Sequence, residues 1–252
     1  MGFRVRTWVG AALAGVACAR GQQQGAGQPA PVGGDAAMRA TEGAVSTLTP
    51  AEQAAGWRSL FDGKTTAGWR GYMKADMPSG WQVVDGALTR VGPGGDIITT
   101  DQFANFELAL EWKVAPAGNS GIMYRVIEGP QNTYQSGPEM QVLDDARHAD
   151  GKSPLTSAGA LYGLYPAAAG VVRPAGEWNA VRIVANGAHV EHWLNGVKVV
   201  DYELWSPDWE RRVAASKFHE WPPYGRAKRG HIALQDHGDW VAYRNIKIRV
   251  LP

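Results

Sequence analysis

An acid, an amide and an acid pair lie close together in the stretch GPEMQVLDDARH, residues 137–148. Glu139 and Gln141 alternate with apolar residues, so a strand would place both polar side chains on one face. If that face lines a cleft, Glu139 is a candidate general acid or base. Asp144 falls on the opposite face by strict alternation, and only a bulge or the end of the strand would turn it into the same cleft.

Three further polar clusters lie beside strand-like segments. GNSGIMYR ends on Arg125, and VEHWLNG contains His192. The last cluster, HIALQDHGDWVAYRN, contains Gln235, Asp236, His237 and Arg244. Alternation points Arg244 towards the apolar side unless a bulge precedes Ile246, and a buried arginine requires an anionic partner.

The spacing within the first cluster argues against ordinary retaining glycosidase chemistry. That mechanism needs two carboxyl groups about 5 to 5.5 Å apart. The residue two positions after Glu139, which is its neighbour on the same face of a strand, is Gln141, and an amide cannot act as the nucleophile. One carboxylate that works with a histidine and an arginine fits these residues better.

The composition excludes several other classes of site. Net charge is +1, from 25 basic and 24 acidic residues, which gives phosphate-driven binding of nucleic acid little support. The sequence has no HExxH pair, GxSxG elbow or phosphate-binding glycine loop before a helix. We therefore expect no metal site and no cofactor, with a divalent cation not excluded. The 11 tryptophans and 8 tyrosines suit the faces of sugar rings, so the expected partner is a small, neutral carbohydrate.

Short segments of period two recur between turn signals from Trp57 onwards, which predicts an all-β sandwich or barrel. In FELALEWKV, Phe106 and every second residue after it would face the core. Turns at Asp85-Gly86, Asn186-Gly187 and Asn195-Gly196 predict three hairpins. Three long segments, 71–80, 146–174 and 203–229, do not have a strand pattern, and we expect them to form the walls of a cleft over one sheet.

The N-terminal residues have the composition of an export signal. Residues 1–18 combine early arginines with a short apolar run and end on Cys18, the single cysteine, which predicts a signal peptide of the lipoprotein type. Residues 19–47 are rich in Gly, Ala, Gln and Pro and predict a flexible tether. Residues 48–252 are expected to form one domain. Because of the signal peptide, we expect an exported protein of the periplasm or cell envelope. Its only link to the membrane would be a lipid on Cys18.

Seven motifs in order, from about Gly56 to the C-terminus, resemble the bacterial 3-keto-disaccharide hydrolase domain family. They are GWRSLFDGKTTAGWRGY, NSGIMYR, GPEMQVLDD, GALYGLYP, GEWN, HWLNG and GHIALQDHGDWVAYRNIKIR. The resemblance implies a concanavalin A-like jelly roll of two antiparallel sheets. It also implies a substrate whose glucose carries a ketone at C3. Such a ketone acidifies the C2 hydrogen, so that base-catalysed elimination followed by addition of water would cleave the glycosidic bond without a carboxylate nucleophile.

The implied reaction gives hypothetical roles to the polar clusters. Glu139 or His192 would act as the base at C2, and Asp144 or His237 would protonate the leaving oxygen. Arg125 or Arg244, together with Gln141, would hold the enediolate or the sugar hydroxyls. The further substrate-binding candidates are Tyr162, Gln235 and Asp236. Two alternatives stay open, a lectin-like module without turnover and a laminarinase-like β-glucanase.

Overall fold

The computed structural model describes residues 48–252. The predicted signal peptide, the tether and Cys18 lie outside the described residues. Within 48–252, no helix combines the length and the apolar character that crossing a bilayer would require.

The described part of the chain consists mainly of β-strands, numbered here in chain order. The larger sheet contains β1 (Trp57–Ser59), β3 (Trp81–Val84), β4 (Ala87–Arg90), β6 (Phe106–Val114), β9 (Asn179–Asn186), β10 (His189–Leu194), β11 (Val197–Glu203) and β13 (Val241–Val250). The smaller sheet contains β2 (Trp69–Gly71), β5 (Ile97–Thr99), β7 (Asn119–Val126), β8 (Glu139–Leu143) and β12 (His231–Leu234). The helices are α1 (Pro50–Ala54), α2 (Pro207–Ala214) and three 3₁₀-helices, η1 (Thr133–Gln135), η2 (Ala149–Lys152) and η3 (Lys217–Glu220).

Both sheets are antiparallel throughout. The larger sheet has the order β11-β10-β9-β6-β13-β4-β3, with β1 also paired to β13, and the smaller has the order β2-β5-β12-β7-β8. Neighbours in space are often distant in sequence, as in a jelly roll, where the chain crosses repeatedly between sheets. The prediction of an all-β sandwich of two antiparallel sheets is confirmed.

The core lies between the two sheets and is formed by every second residue of the central strands. The inward face of β6 is the predicted one, since Phe106, Leu108, Leu110 and Trp112 are all buried in the core. The smaller sheet faces them with Ile122, Tyr124, Met140 and Val142. Because alternation directs these residues inwards, the intervening residues of β7 and β8 lie on the outer face of the smaller sheet.

The three predicted hairpins are all present. At Asp85-Gly86 and Asn195-Gly196 both turn residues have positive φ, which is the conformation that a tight type I′ turn needs. The third hairpin is shifted by one residue, because Asn186 pairs with His189 and the turn is therefore Gly187-Ala188. Only Gly187 has a positive φ there, +61°, as in a turn of type II′.

Candidate active site

The outer face of the smaller sheet carries Glu139 and Gln141 side by side. In the pairing of β8 with β7, Glu139 lies opposite Met123 and Gln141 lies opposite Gly121. Directly opposed residues of an antiparallel pair have their side chains on the same face. This face therefore continues from β8 across β7 to β12, where the backbone N–H of Gln235 donates to the carbonyl oxygen of Gly121 at 3.0 Å.

The Glu139 side chain lies directly over Gly121. A Cβ atom on Gly121 would come within 2.1 Å of Glu139 Oε1 and 2.7 Å of Glu139 Cδ. Glycine is therefore required at position 121 for the carboxyl group to occupy this position. Only 6% of Glu139 is exposed, which is unusual for a carboxylic acid without an ion-pair partner.

Burial raises the pKa of the Glu139 carboxyl from 4.5 to about 8, because the ionised form loses its hydration. The positive charge of Lys217 acts in the opposite direction, and the charges of Asp96 and Asp150 raise the pKa further. None of the groups in residues 48–252 hydrogen-bonds to this carboxylate in a way that stabilises its charge. Near neutral pH, Glu139 can therefore both accept and release a proton, as a general acid or base must.

Three amide side chains on the same face have carbonyl oxygens that are buried and have no hydrogen-bond partner within the described chain: Asn119, Gln141 and Gln235. The Gln141 amide nitrogen is held by the Thr156 carbonyl at 3.2 Å, which fixes the direction of the oxygen. Unpaired buried carbonyls are costly and rare in proteins. Hydroxyl groups of a bound sugar would donate hydrogen bonds to such oxygens.

Residues of three loop segments lie beside this face. In the segment 146–174, the Tyr162 hydroxyl donates to Asp150 at 3.2 Å, and burial with the nearby carboxylate raises its pKa to about 12. The segment 203–229 contributes η3, which begins at Lys217. The segment 71–80 contributes Tyr72, which packs with Met123 at the apolar end of the same face.

Aromatic rings and one cation stand together at the edge of these loops. Tyr134, in η1, packs edge-to-face against Trp221 with 5.4 Å between the ring centroids. The Lys217 ammonium lies 4.7 Å from the centroid of the Tyr162 ring and 5.7 Å from that of Tyr134. The face around Glu139 is therefore bordered by flat apolar rings and a positive charge.

A second carboxyl, Asp96, lies near the same face but is already bonded. It accepts hydrogen bonds from the Thr133 hydroxyl and from the backbone N–H of Asp236. Burial raises the pKa of Asp96, and the nearby charge of His237 lowers it. His237 itself is exposed, and its ring packs edge-to-face with His148 at 6.4 Å between centroids.

Comparison with known proteins agrees with this geometry. The model of the 3-keto-alpha-glucoside-1,2-lyase-like domain family matches residues 56–249. The chain belongs to this family. A 3-keto-disaccharide hydrolase of Bacteroides thetaiotaomicron is 35% identical over 230 residues, which cover 79% of this chain and 79% of that protein. These matches confirm the family that the motifs resemble, and they identify the chain as a hydrolase.

Two crystal structures of candidate glycosyl hydrolases from Parabacteroides distasonis have the same fold. The first is 36% identical with a TM-score of 0.76, covering 82% of this chain and 99% of that one. The second is 32% identical with a TM-score of 0.63, covering 77% and 99%. The sandwich of this family member is therefore shared by proteins solved experimentally.

The structure brings five of the ten predicted catalytic and substrate-binding residues together. Glu139, Gln141 and Gln235 lie on the outer face of the smaller sheet, Tyr162 lies in the loop above it, and His237 lies beside it. Asp236 lies between Gln235 and His237, but its carboxylate pairs with Arg90. The remaining four lie elsewhere in the molecule: His192, Asp144, Arg125 and Arg244.

His192 lies inside the core and not in the cleft. It is fully buried, one ring nitrogen is 3.0 Å from the Tyr124 hydroxyl, and the other is 3.1 Å from the carbonyl oxygen of Gly159. Burial lowers its pKa to about 4. Alternation in β10 places His192 with Val190 and Leu194, which are core residues, so the hypothesis that it is the base at C2 has no support in the geometry.

Asp144 and Asp236 are anchors for loops. β8 ends at Leu143, and the Asp144 carboxylate accepts hydrogen bonds from the Ala117 and Ala146 backbones and from Arg147. Hydrogen bonds from these backbone groups and the arginine lower its pKa against the effect of burial, so it is a poor proton donor to a leaving group.

The Asp236 carboxylate is engaged in the same way. It pairs with Arg90 at 2.7 Å and accepts from the backbone N–H groups of Gly94 and Gly95. Neither Asp144 nor Asp236 has an oxygen free of protein partners, which corrects their predicted roles as proton donor and sugar ligand.

The two predicted arginines lie away from Glu139. Arg125 is buried and donates to the carbonyl oxygens of Ala104 and Gly187, both at 2.9 Å. Arg244 pairs with Glu111 at 2.6 Å on the outer face of the larger sheet, and a register shift follows it in β13. Of the two alternatives for Arg244, the bulge before Ile246 is the one present, and the anionic partner of Arg244 is Glu111.

Sequence reasoning missed several residues that border the site: Asn119, Asp96, Tyr134, His148, Asp150 and Lys217. Apart from Asn119, which begins β7, they come from separate loops and short helices, and the six form no local motif. The only available signal was that Asn119 precedes Gly121 by two residues in NSGIMYR, which puts the two on one face of a strand.

One group of side chains in the described chain has the arrangement of metal ligands. His189, Glu191 and Asp201, on β10 and β11, have ligand atoms within 4.8 Å of one another. The Lys198 ammonium contacts both carboxylates, at 3.1 Å and 2.5 Å, and so occupies the position of a cation. The expectation that no cofactor is needed stays a prediction.

We predict that Gly121→Ala lowers the pKa of Glu139 by about one unit or more, because the added methyl displaces the carboxyl from its buried position towards water. The measurement is an NMR titration of the Glu139 carboxyl carbon. Gly92→Ala is the control, since the nearest atom to its Cβ is 3.9 Å away. A Glu139 pKa that stays near 8 in Gly121→Ala would contradict the role given to this glycine.

Proposed function

We propose that the protein cleaves 3-keto-glucosides, including 3-keto-disaccharides, by removal of the C2 proton, elimination of the C1 substituent and addition of water. The proposal rests on Glu139, the buried carboxyl whose raised pKa makes it a stronger base than an exposed glutamate. Membership of the family and the name of the Bacteroides relative support the substrate class.

The proposed reaction balances with the residues at this site. The Glu139 carboxylate takes the C2 proton, the electrons of the C2–H bond form a C2=C3 double bond, and the carbonyl electrons move to O3. The enediolate then restores the C3 carbonyl and forms a C1=C2 double bond as the bond from C1 to the leaving oxygen breaks. That oxygen takes up a proton, for which exposed His237 is the candidate donor. Water adds to C1, and a proton returns to C2.

The lyase reaction and the hydrolase reaction named for this family differ in only one step. A lyase would release the unsaturated sugar after elimination, whereas a hydrolase would also add water to C1. Both require the same base at C2 and the same binding of the keto sugar, which we assign to the amides of Gln141 and Gln235 and to Tyr162. The partner is therefore a small carbohydrate.

Replacement of the base tests the proposed reaction. Glu139→Gln keeps the shape of the side chain but cannot accept the proton, so we expect turnover of a 3-keto-disaccharide to fall by about 10²- to 10⁴-fold. Glu107→Gln is the matched control, because Glu107 is equally buried but pairs with Arg182 on the other sheet. Reducing-sugar release is followed with the keto form, the parent disaccharide and laminarin.

Deuterium oxide distinguishes the mechanisms. Elimination and hydration would place deuterium at C2 of the released keto sugar faster than in an enzyme-free control, whereas direct hydrolysis would not. Unchanged turnover by Glu139→Gln would remove it from the mechanism. Binding without release from any of the three sugars would favour a lectin, and release from laminarin would favour a β-glucanase.

The pH dependence of kcat/KM follows from the raised pKa of Glu139. The base must be ionised, so kcat/KM rises with pH through an apparent pKa of about 8. Two units below that pKa, activity should be about a hundredfold below its maximum, because each unit removes tenfold of the ionised form. A plateau that already begins at pH 5 to 6 would show that the reacting group is not the buried carboxyl.

We also propose that the protein is exported and carries a lipid on Cys18, because the first 18 residues have the composition of a lipoprotein signal. Cells fed a labelled fatty acid should incorporate it into the wild type and not into Cys18→Ala. Equal labelling of the two proteins would exclude Cys18 as the attachment site.

A further inference from the structure

Removal of the C2 proton creates a negative charge on O3, and the two arginines predicted to stabilise it are not at the site. Arg125 is held by backbone carbonyls, and Arg244 lies on the outer face of the larger sheet. A buried charge without a counterion is costly, and a fixed cation near the developing oxyanion is among the strongest contributions to catalysis. A positive charge near O3 must therefore come from another residue.

Lys217 has the position that such a cation requires. Its ammonium lies over the Tyr162 ring, and the Tyr162 backbone N–H donates to the carbonyl oxygen of Glu139 at 3.0 Å. Its positive charge lowers the pKa of the Glu139 carboxyl against the effect of burial. The same ammonium is 5.7 Å from the centroid of the Tyr134 ring, so it stands between two aromatic walls at the border of the site.

The ammonium of Lys217 has no carboxylate within 4.0 Å in residues 48–252. Lys113 and Lys228 also lie over aromatic rings without such a partner, but only Lys217 lies over Tyr162, beside Glu139. Two other lysines are neutralised by carboxylates. Lys198 pairs with Glu191 and Asp201, and Lys247 pairs with Glu52. A lysine held by rings alone keeps its full charge available for a bound anion, because cation–π contact does not neutralise it.

The backbone of Lys217 is fixed by the packing of η3. The Ser216 hydroxyl caps this helix at the Phe218 backbone N–H, and the Phe218 ring stacks on Tyr224 at 4.0 Å between centroids. Tyr224 in turn stacks on Trp209, which is fully buried. Lysine is a flexible side chain, but its starting point is therefore held by a stack of rings that reaches into the core.

We propose that Lys217 is a catalytic residue that stabilises the negative charge on O3 of the enediolate. The inference rests on the proposed function, since it needs a substrate with a ketone at C3. The Lys217 ammonium contacts O3 while Glu139 takes the C2 proton. The negative charge therefore moves from the Glu139 carboxylate to O3, and the net charge of the site does not change. An unoxidised sugar has only a hydroxyl at C3 and would gain no comparable stabilisation.

The charge of Lys217 also affects the pH dependence of the reaction. The ionisable groups that act on Glu139, or on which Glu139 acts, are Lys217, Asp96, Asp150, Tyr162, Tyr224 and Tyr243. Among these, Lys217 lowers the pKa of Glu139, whereas the two aspartates raise it. Removal of the lysine charge must therefore move the acidic limb of the kcat/KM profile to higher pH.

The test compares Lys217→Met and Lys217→Arg with the full-length wild type on a 3-keto-disaccharide. We expect Lys217→Met to lose about 10²- to 10³-fold in kcat, as when one oxyanion donor is removed, with a small change in KM. Its acidic limb should move upwards, and Lys217→Arg should recover most of both losses. Lys228→Met is the control, since Lys228 lies over the Trp205 ring, outside the site, and should behave as wild type.

The outcomes separate the two proposals. If the wild type is active and Lys217→Met keeps both its kcat and its acidic limb, Lys217 has no catalytic role. If only KM rises, the lysine binds the sugar before reaction and the assignment is wrong. If the wild type neither releases sugar nor exchanges deuterium at C2, the proposed reaction itself fails, and the role of Lys217 fails with it.

Discussion

The burial of the Glu139 carboxyl over Gly121 is the constraint on which the candidate site depends. A carboxyl in this position is reluctant to ionise, which destabilises the ionised protein and gives the group its basicity. The position exists only because β7 has no side chain at Gly121, and because β7 and β8 are held in register by antiparallel pairing. The paired strands therefore hold the outer face of the smaller sheet in place, and the pKa of Glu139 depends on how completely its carboxyl is buried there.

The loops beside the outer face of the smaller sheet determine the charge around Glu139. η2 contributes Asp150 and η3 contributes Lys217, and these have opposite effects on the pKa of Glu139. Each is fixed through an aromatic contact, Asp150 through the Tyr162 hydroxyl and Lys217 through the ring of the same tyrosine. Tyr162 therefore couples the two loops, and a movement of either one would change the basicity of the carboxyl below.

The fold and the residues that β8 contributes to the site could be predicted from the sequence, because both follow from alternation along strands. Glu139 and Gln141 share a face for the same reason that Phe106 and Leu108 share the core. Alternation along β10 also places His192 with Val190 and Leu194, so the hypothesis that it is the base at C2 went against the pattern of its own strand. Arg125 and Asp144 stand at strand ends, where backbone groups without partners capture charged side chains.

Lys217 could not be found by any pattern of period, because it belongs to a single 3₁₀ turn in a long loop. Its position is set by the ring stack of Phe218, Tyr224 and Trp209, which are not related by any regular spacing in the sequence. The combination of Glu139 and Lys217 favours a ketone substrate. A base of raised pKa removes a proton only when the carbon acid is activated, and a single cation at O3 activates a carbonyl but not a hydroxyl. Discrimination against unoxidised sugars then needs no steric exclusion, because the same two charged groups that carry out the reaction also select its substrate.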